Sequence, residues 1–170
     1  MRSKPDELYQ TAVQAFGRAL DRLAAGYEAD PEKRHDLRQE IHFQIWRSCE
    51  AFDGRCALKT WVFRVAHNTA VSYVNRERRW NAALVSVEEI EQAVSAAEPD
   101  IDRERALAQL SRLIWKLKPL DRQIMLSYLE QMDTAAIADI TGLSAANVAM
   151  KVHRIKSVLA RRFQEEQQHA

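Results

Sequence analysis

Residues Thr134 to Arg154 read TAAIADITGLSAANVAMKVHR, and this stretch decides the fold. Asp133 or Thr134 is placed to cap a short helix whose inward side is Ile137, Ala138 and Ile140. Gly142 supplies the left-handed residue that ends such a helix within a short turn. Leu143 plugs the turn, and Ser144 caps the next helix. Val148, Val152, Ile155 and Leu159 keep one face of that helix inward, and small Ala138 lets the two helices cross closely. The outward face offers Asn147, Met150, Lys151 and Arg154, with Lys156, Arg161 and Arg162 farther along. No acid occurs between Ile140 and Gln164. A helix entering a major groove needs this division, with base-edge and phosphate donors outside and a branched apolar stripe inside. A solvated basic helix on a small bundle would need neither the turn glycine nor the small crossing residue.

Working outward, the pattern stays helical. The chain has 170 residues with four Gly, four Pro and 46% apolar residues. Few breakers and ample core material predict an all-α fold. Leu8 to Leu23 repeat apolar residues at helical spacing. Gly26 and Asp30-Pro31 mark a loop. Leu37, Ile41, Ile45 and Trp46 form the stripe of a second helix. A third starts near Lys59 or Thr60, with the stripe Trp61, Val62, Val65, Ala66, Thr69 and Tyr73. Leu107, Leu110, Ile114 and Leu117 predict a helix that stops before Pro119. Another fits in 121–131. Between these groups, Val85 to Asp102 is rich in acids and poor in large apolar residues. The expected organisation is therefore two small helical domains, 1–80 and 105–170, joined by an acidic flexible linker at 81–104. The longest apolar runs are four residues, against the roughly 18–20 of a membrane span, and the start lacks a signal-peptide core. A cytoplasmic protein without membrane insertion is expected.

The formal net charge of +1 hides an asymmetry. Residues 51–80 carry six basic and two acidic groups, and 106–170 carry nine basic and six acidic groups. Residues 81–105 hold seven acids against two arginines. Two basic lobes around an acidic middle point to a polyanionic partner. In the front lobe, Phe52-Asp53-Gly54-Arg55 precedes Thr60-Trp61-Val62-Phe63-Arg64-Val65-Ala66-His67-Asn68. Aromatics beside cations and one amide suit unstacked bases, although Trp61 reads better as core.

Together the two lobes resemble the extracytoplasmic-function sigma factors of bacterial RNA polymerase, over nearly the whole chain. Asp36-Leu37-Arg38-Gln39-Glu40 with Ile45-Trp46-Arg47 is similar to that family's polymerase-binding helix. Phe52-Asp53-Gly54 and Thr60 through Asn68 are similar to its promoter-melting loop and helix, and Leu120 to Arg154 to the helix-turn-helix that reads the −35 element. The resemblance implies that Asp36, Gln39 and Glu40 meet the largest polymerase subunit. It implies that Asn68 takes a base flipped from the −10 element, beside Phe52 and Arg55, and that Arg76, Arg78 and Arg79 follow the DNA backbone. Ser144, Asn147, Met150, Lys151 and Arg154 would face the −35 element. Ala149 and Met150 stand where the family often has polar or basic residues, which shifts readout toward Met150 against a thymine methyl. Leu58 replaces a frequent aromatic. The implied partners are core RNA polymerase, promoter DNA and an anti-sigma factor.

Other readings carry less. His35, His42, Cys49 and Cys56 recur every seven residues, but on a helix such neighbours lie about 10.5 Å apart, too far to chelate one zinc ion. No metal site and no cofactor is expected. Without a phosphate-cradling glycine loop, a His-Glu-x-x-His or a nucleophile elbow, an enzyme is not expected either. The main rival is a one-component helix-turn-helix regulator with an N-terminal dimerisation or effector domain. A second is an adaptor whose basic helix contacts an acidic protein. Because nonspecific DNA affinity scales with phosphates neutralised, a chain at +1 should bind promoter DNA weakly alone and specifically once core polymerase is added. A gel shift checks this, and tight sequence-specific binding by the free chain would contradict it.

Overall fold

The computed structural model describes residues 4–78 and 103–168, with side chains over 5–76 and 104–165. The first lobe is built from α1 (Lys4–Tyr27), α2 (Pro31–Ser48), a 3-10 turn at Cys49–Ala51, and α3 (Leu58–Arg78). Asp30 starts α2 by accepting from the backbone N–H of Glu32 at 2.9 Å and Lys33 at 3.0 Å. Pro31 occupies the first turn, where its missing N–H costs nothing. The stripe Leu37, Ile41 and Ile45 is fully buried against Leu20 and Leu23 of α1 and Val62, Phe63 and Ala66 of α3.

The second lobe comprises α4 (Arg103–Lys116), α5 (Pro119–Leu129), α6 (Thr134–Thr141) and α7 (Ala145–Gln168). Ile137, Ile140, Val148, Val152, Ile155 and Leu159 are buried, as the helix-turn-helix pattern requires. No strand occurs among the described residues, and no described helix is long and apolar enough to cross a membrane. The acidic linker expected at 81–104 lies outside the described residues, except that Arg103 and Glu104 already begin α4.

The two lobes share one apolar core, because α3 lies against α5 and α6 while α1 lies against α4 and α5. This contact explains several departures from the periodicity reading. Gly26 belongs to the last turn of α1 and not to a loop; a Cβ there would stand 2.5 Å from Cδ2 of Leu126. Phe63 and His67 are 0% exposed although neither is on the expected stripe of α3. A helix covered by both lobes buries more than one face, so a single-stripe pattern understates it. Trp46, placed in the α2 stripe, is instead 47% exposed.

His67 sits at the centre of this contact, with its two ring nitrogens 3.0 Å from the Tyr27 hydroxyl and 2.9 Å from the Ser127 hydroxyl. Burial lowers its pKa to about 3, against about 6.5 for an unperturbed imidazole. The folded protein therefore keeps it neutral, and protonation favours unfolding. The stability it contributes is complete above about pH 6.5 and is lost as pH falls toward 3, by at most about 1.4 kcal/mol per pH unit. Urea melts between pH 7 and 5 should show this slope, and His67→Gln should flatten it. Equal slopes in both proteins would contradict the assignment.

Candidate nucleic-acid interface

The recognition unit is set by three local devices. Asp133 accepts from the Ala136 N–H at 2.7 Å and caps α6. Gly142 ends α6 with φ 76 and ψ 9, the left-handed region where a Cβ is costly. Ser144 Oγ accepts from the Asn147 N–H at 3.2 Å and starts α7. With Val148, Val152, Ile155 and Leu159 inward, Asn147, Met150 and Arg154 are left exposed, Met150 at 67%.

Cations of α7 are engaged by the fold. Lys151 Nζ donates to Asp121 Oδ1 at 2.7 Å, so this expected DNA contact is held against the start of α5. Arg162, placed by the sequence on the outward face, is 7% exposed and bonds Glu165 at 2.8 Å. Lys156 donates to the Tyr128 hydroxyl at 2.9 Å and lies over that ring.

In the front lobe, the loop before α3 turns at Gly54, whose φ is 74. Asp53 accepts from the Arg55 N–H at 3.1 Å and pairs with its guanidinium at 3.0 Å, leaving both exposed. Phe52 is half-buried, its ring centroid 5.1 Å from that of Trp61. Trp61 is 9% exposed, as its reading as core requires. Asn68 is exposed on α3, one residue from buried His67. Arg76 is exposed with its guanidinium 5.4 Å from the Tyr73 ring. The side chain of Arg78 and all of Arg79 lie outside the described residues.

A third patch runs along α2. Asp36, Gln39 and Glu40 are all exposed, with Gln39 bonded to His35 at 2.7 Å and Glu40 to Gln44 at 2.8 Å. Phe43 and Trp46 continue the same face at 48% and 47% exposure, their rings 6.2 Å apart. Trp46 Nε1 donates to Asp6 Oδ1 at 3.1 Å, which fixes the indole at the surface. The sequence reading missed both aromatics as surface groups. The signal was available: 36, 39/40, 43 and 46 keep the three-to-four-residue spacing of one helix face.

Of the histidines and cysteines spaced by seven, His35, His42 and Cys49 meet separate partners. His42 meets the Tyr9 hydroxyl at 3.1 Å, and burial lowers its pKa. Cys49 Sγ donates to the Ile45 carbonyl at 3.2 Å, and burial raises its pKa. Among the described residues, no group of three or more His, Cys, Asp or Glu is arranged to hold a metal ion.

Two family models match the chain: Sigma-70 region 2 over residues 12–80 and Sigma-70 region 4 over residues 107–159. The chain is 26% identical over 139 residues to the ECF RNA polymerase sigma-E factor of Haemophilus influenzae, covering 76% of this chain and 74% of that protein. It is 23% identical over 128 residues to the RNA polymerase sigma factor YlaC of Bacillus subtilis, covering 74% of each. The fold is similar to that of the sigma factor RpoE of Bartonella quintana, solved in complex with the anti-sigma factor NepR. That likeness has a TM-score of 0.68 at 17% identity and covers 90% of this chain and 94% of that one.

The geometry separates capping from surface display on α7. Ser144→Ala should cost about 1 kcal/mol of stability through the lost cap. Asn147→Ala and Met150→Ala, on the exposed face, should stay within about 0.5 kcal/mol. Chemical denaturation of the three variants checks this, and a Ser144→Ala variant as stable as the parent would contradict the cap.

Proposed function

Since the chain belongs to the sigma-70 family, on its extracytoplasmic-function branch, we propose that it binds core RNA polymerase and directs promoter-specific transcription initiation. The observation that carries this is the order of the two family matches, region 2 on α1–α3 and region 4 on the lobe that holds the helix-turn-helix. The protein then works as three parts: a polymerase-binding and −10 module at 1–80, a linker at 81–104 and a −35 module at 105–170. It works in the cytoplasm, as a transcription factor and not as an enzyme.

The roles follow from what each patch offers. Asp36, Gln39 and Glu40 give α2 a polar, acidic face, and Phe43 and Trp46 add two rings beside it. Such a mixture suits a protein partner, with the rings as anchors and the carboxylates fixing register. Asn68 presents donor and acceptor together, which suits the edge of a flipped base. Phe52 offers part of a ring for stacking, Arg55 a cation beside it, and Arg76, Arg78 and Arg79 a track for phosphates. Each flipped base costs a few kcal/mol, so capture of one base at a time keeps melting affordable. At the cap of α7 and along it, Ser144, Asn147, Met150, Lys151 and Arg154 face the −35 element. Lys151 would exchange its Asp121 partner for a phosphate, while Met150 gives an apolar contact for a thymine methyl.

An anti-sigma factor is the expected regulator. Support comes from the RpoE relative, whose fold this chain shares and which was solved with its anti-sigma factor. Replacing Asp36, Gln39 and Glu40 together by Ala should weaken binding to core polymerase without changing the thermal melt. Asn68→Ala should keep polymerase binding and reduce promoter opening, read by permanganate reactivity of unpaired thymines. Unaltered polymerase binding by the triple variant would contradict the role of α2, and unaltered opening would remove Asn68 from the base pocket.

A further inference from the structure

The apolar stripe of α4 continues past the point where the fold covers it. Leu107, Leu110 and Ile114 share one helix face by their spacing. Ile114 is 4% exposed, whereas Leu107, nearly two turns earlier, is 56% exposed. Leu129, at the end of α5, is 46% exposed. Together with Leu110 these two leucines stand around a concavity of about 510 Å³ whose buried lining includes Leu23, Ile114 and Leu126. Small-molecule sites are of this size, roughly 300–1,000 Å³, and of this apolar character with a few polar groups.

Most of the polar groups around it already have partners. Trp115 Nε1 donates to the Ala25 carbonyl at 2.8 Å, and Arg22 holds Glu130 in a two-pronged pair at 2.6 and 2.7 Å. Arg34 differs. It is half-buried, and its side chain has no ion pair or hydrogen bond among the described residues. It is also the wall shared with a second, polar concavity of about 330 Å³, lined by Asp21, His35 and Arg38. There Arg38 is paired with Asp21 at 3.3 Å. Arg22 with Glu130 and Arg38 with Asp21 cancel, so Arg34 is the surplus charge of both concavities. It stands in the first turns of α2, where the helix dipole favours an anion and not a cation. Its charge therefore serves neither the helix nor a neighbouring carboxylate.

We propose that this double concavity binds a single-chain alkyl carboxylate, with the hydrocarbon tail among the leucines of α4 and α5 and the carboxylate on Arg34. A guanidinium meets a carboxylate through two parallel N–H donors, and the head would also sit at the positive end of the α2 dipole. The tail would cover Leu107 and Leu129, which the protein leaves to water. One surplus cation matches one negative charge, so a monoanion fits and a dianion gains no second free partner. This site stands apart from the sigma-factor reading, since its occupancy needs neither polymerase nor promoter.

The test titrates the full chain by isothermal calorimetry with alkyl compounds kept below the concentrations at which they form micelles. Octanoate and decanoate should each bind at one per chain. Decanoate should bind about fivefold tighter or more, approaching about fifteenfold if both added methylenes are buried. Octanol, with the same tail as octanoate and no charge, should bind about fivefold more weakly or less tightly still. Arg34→Gln should remove that difference and leave octanol binding unchanged, and Arg34→Lys should keep part of it. Ala108→Trp, at an exposed position of the lining, should fill the concavity and abolish binding of every compound. Neither position is buried, so thermal melts of these variants should match the parent. Octyl phosphate should bind no tighter than octanoate, and tighter binding would overturn the assignment to a carboxylate. The site is overturned if octanoate and decanoate fail to bind, or if Arg34→Gln binds octanoate as the parent does. It is equally overturned if Ala108→Trp leaves binding intact. Sedimentation checks the rival occupant, a second copy of this chain: a parent dimer that Ala108→Trp dissolves would overturn the proposal. Failure of polymerase binding would end the functional reading and leave these titrations unaffected.

Discussion

The carbonyl end of α1, which its own helix cannot satisfy, is the constraint on which the arrangement depends. A helix of 24 residues that stops at Tyr27 without a terminal cation needs donors from elsewhere. Trp115 and Arg122 provide them across the lobe boundary. Once they do, Gly26 comes against Leu126, His67 is closed off between Tyr27 and Ser127, and α3 becomes an interior helix. Removing water from these polar groups is tolerable only because they are paired. The contact is therefore a specific fit between lobes and not a general apolar adhesion.

The surfaces proposed to carry function lie outside this contact. Asp36, Gln39, Glu40, Phe43 and Trp46 line one exposed face of α2, and Asn147, Met150 and Arg154 line another on α7. Asn68 stays exposed although the residue before it is fully buried. The cationic charge for DNA is modest, since Lys151 is paired with Asp121 and Arg162 with Glu165. A small surplus of this kind limits indiscriminate binding to duplex and leaves selection of the promoter to the complex with polymerase.

How much of this could be read from the sequence depended on the range of the interaction. The helix-turn-helix was legible because its determinants are local: an Asp cap, a left-handed glycine, a Ser cap and a four-residue apolar stripe, all between Asp133 and Leu159. Asp30-Pro31 reads only as a loop marker in the sequence, although an Asp cap with Pro in the first turn is an equally local signal and starts α2. What escaped was set by partners far away in the chain. Gly26 reads as a breaker until Leu126 is beside it, and His67 reads as a polar residue on a nucleic-acid helix until Ser127, sixty residues on, buries it. Trp46 counts as core by periodicity, yet Asp6 of α1 holds its indole at the surface. Lys151 reads as a groove donor because nothing in its own helix reveals Asp121. The candidate sites were thus legible as a list of exposed faces, while the packing of the two lobes was not.

The most direct measurement is run-off transcription with purified core polymerase and this chain on a library of promoter fragments. The account predicts discrete transcripts from a subset of templates that share sequence at two separated elements, and none from polymerase alone. If the chain directs no start site on any template, or initiates equally on all of them, the central claim is contradicted.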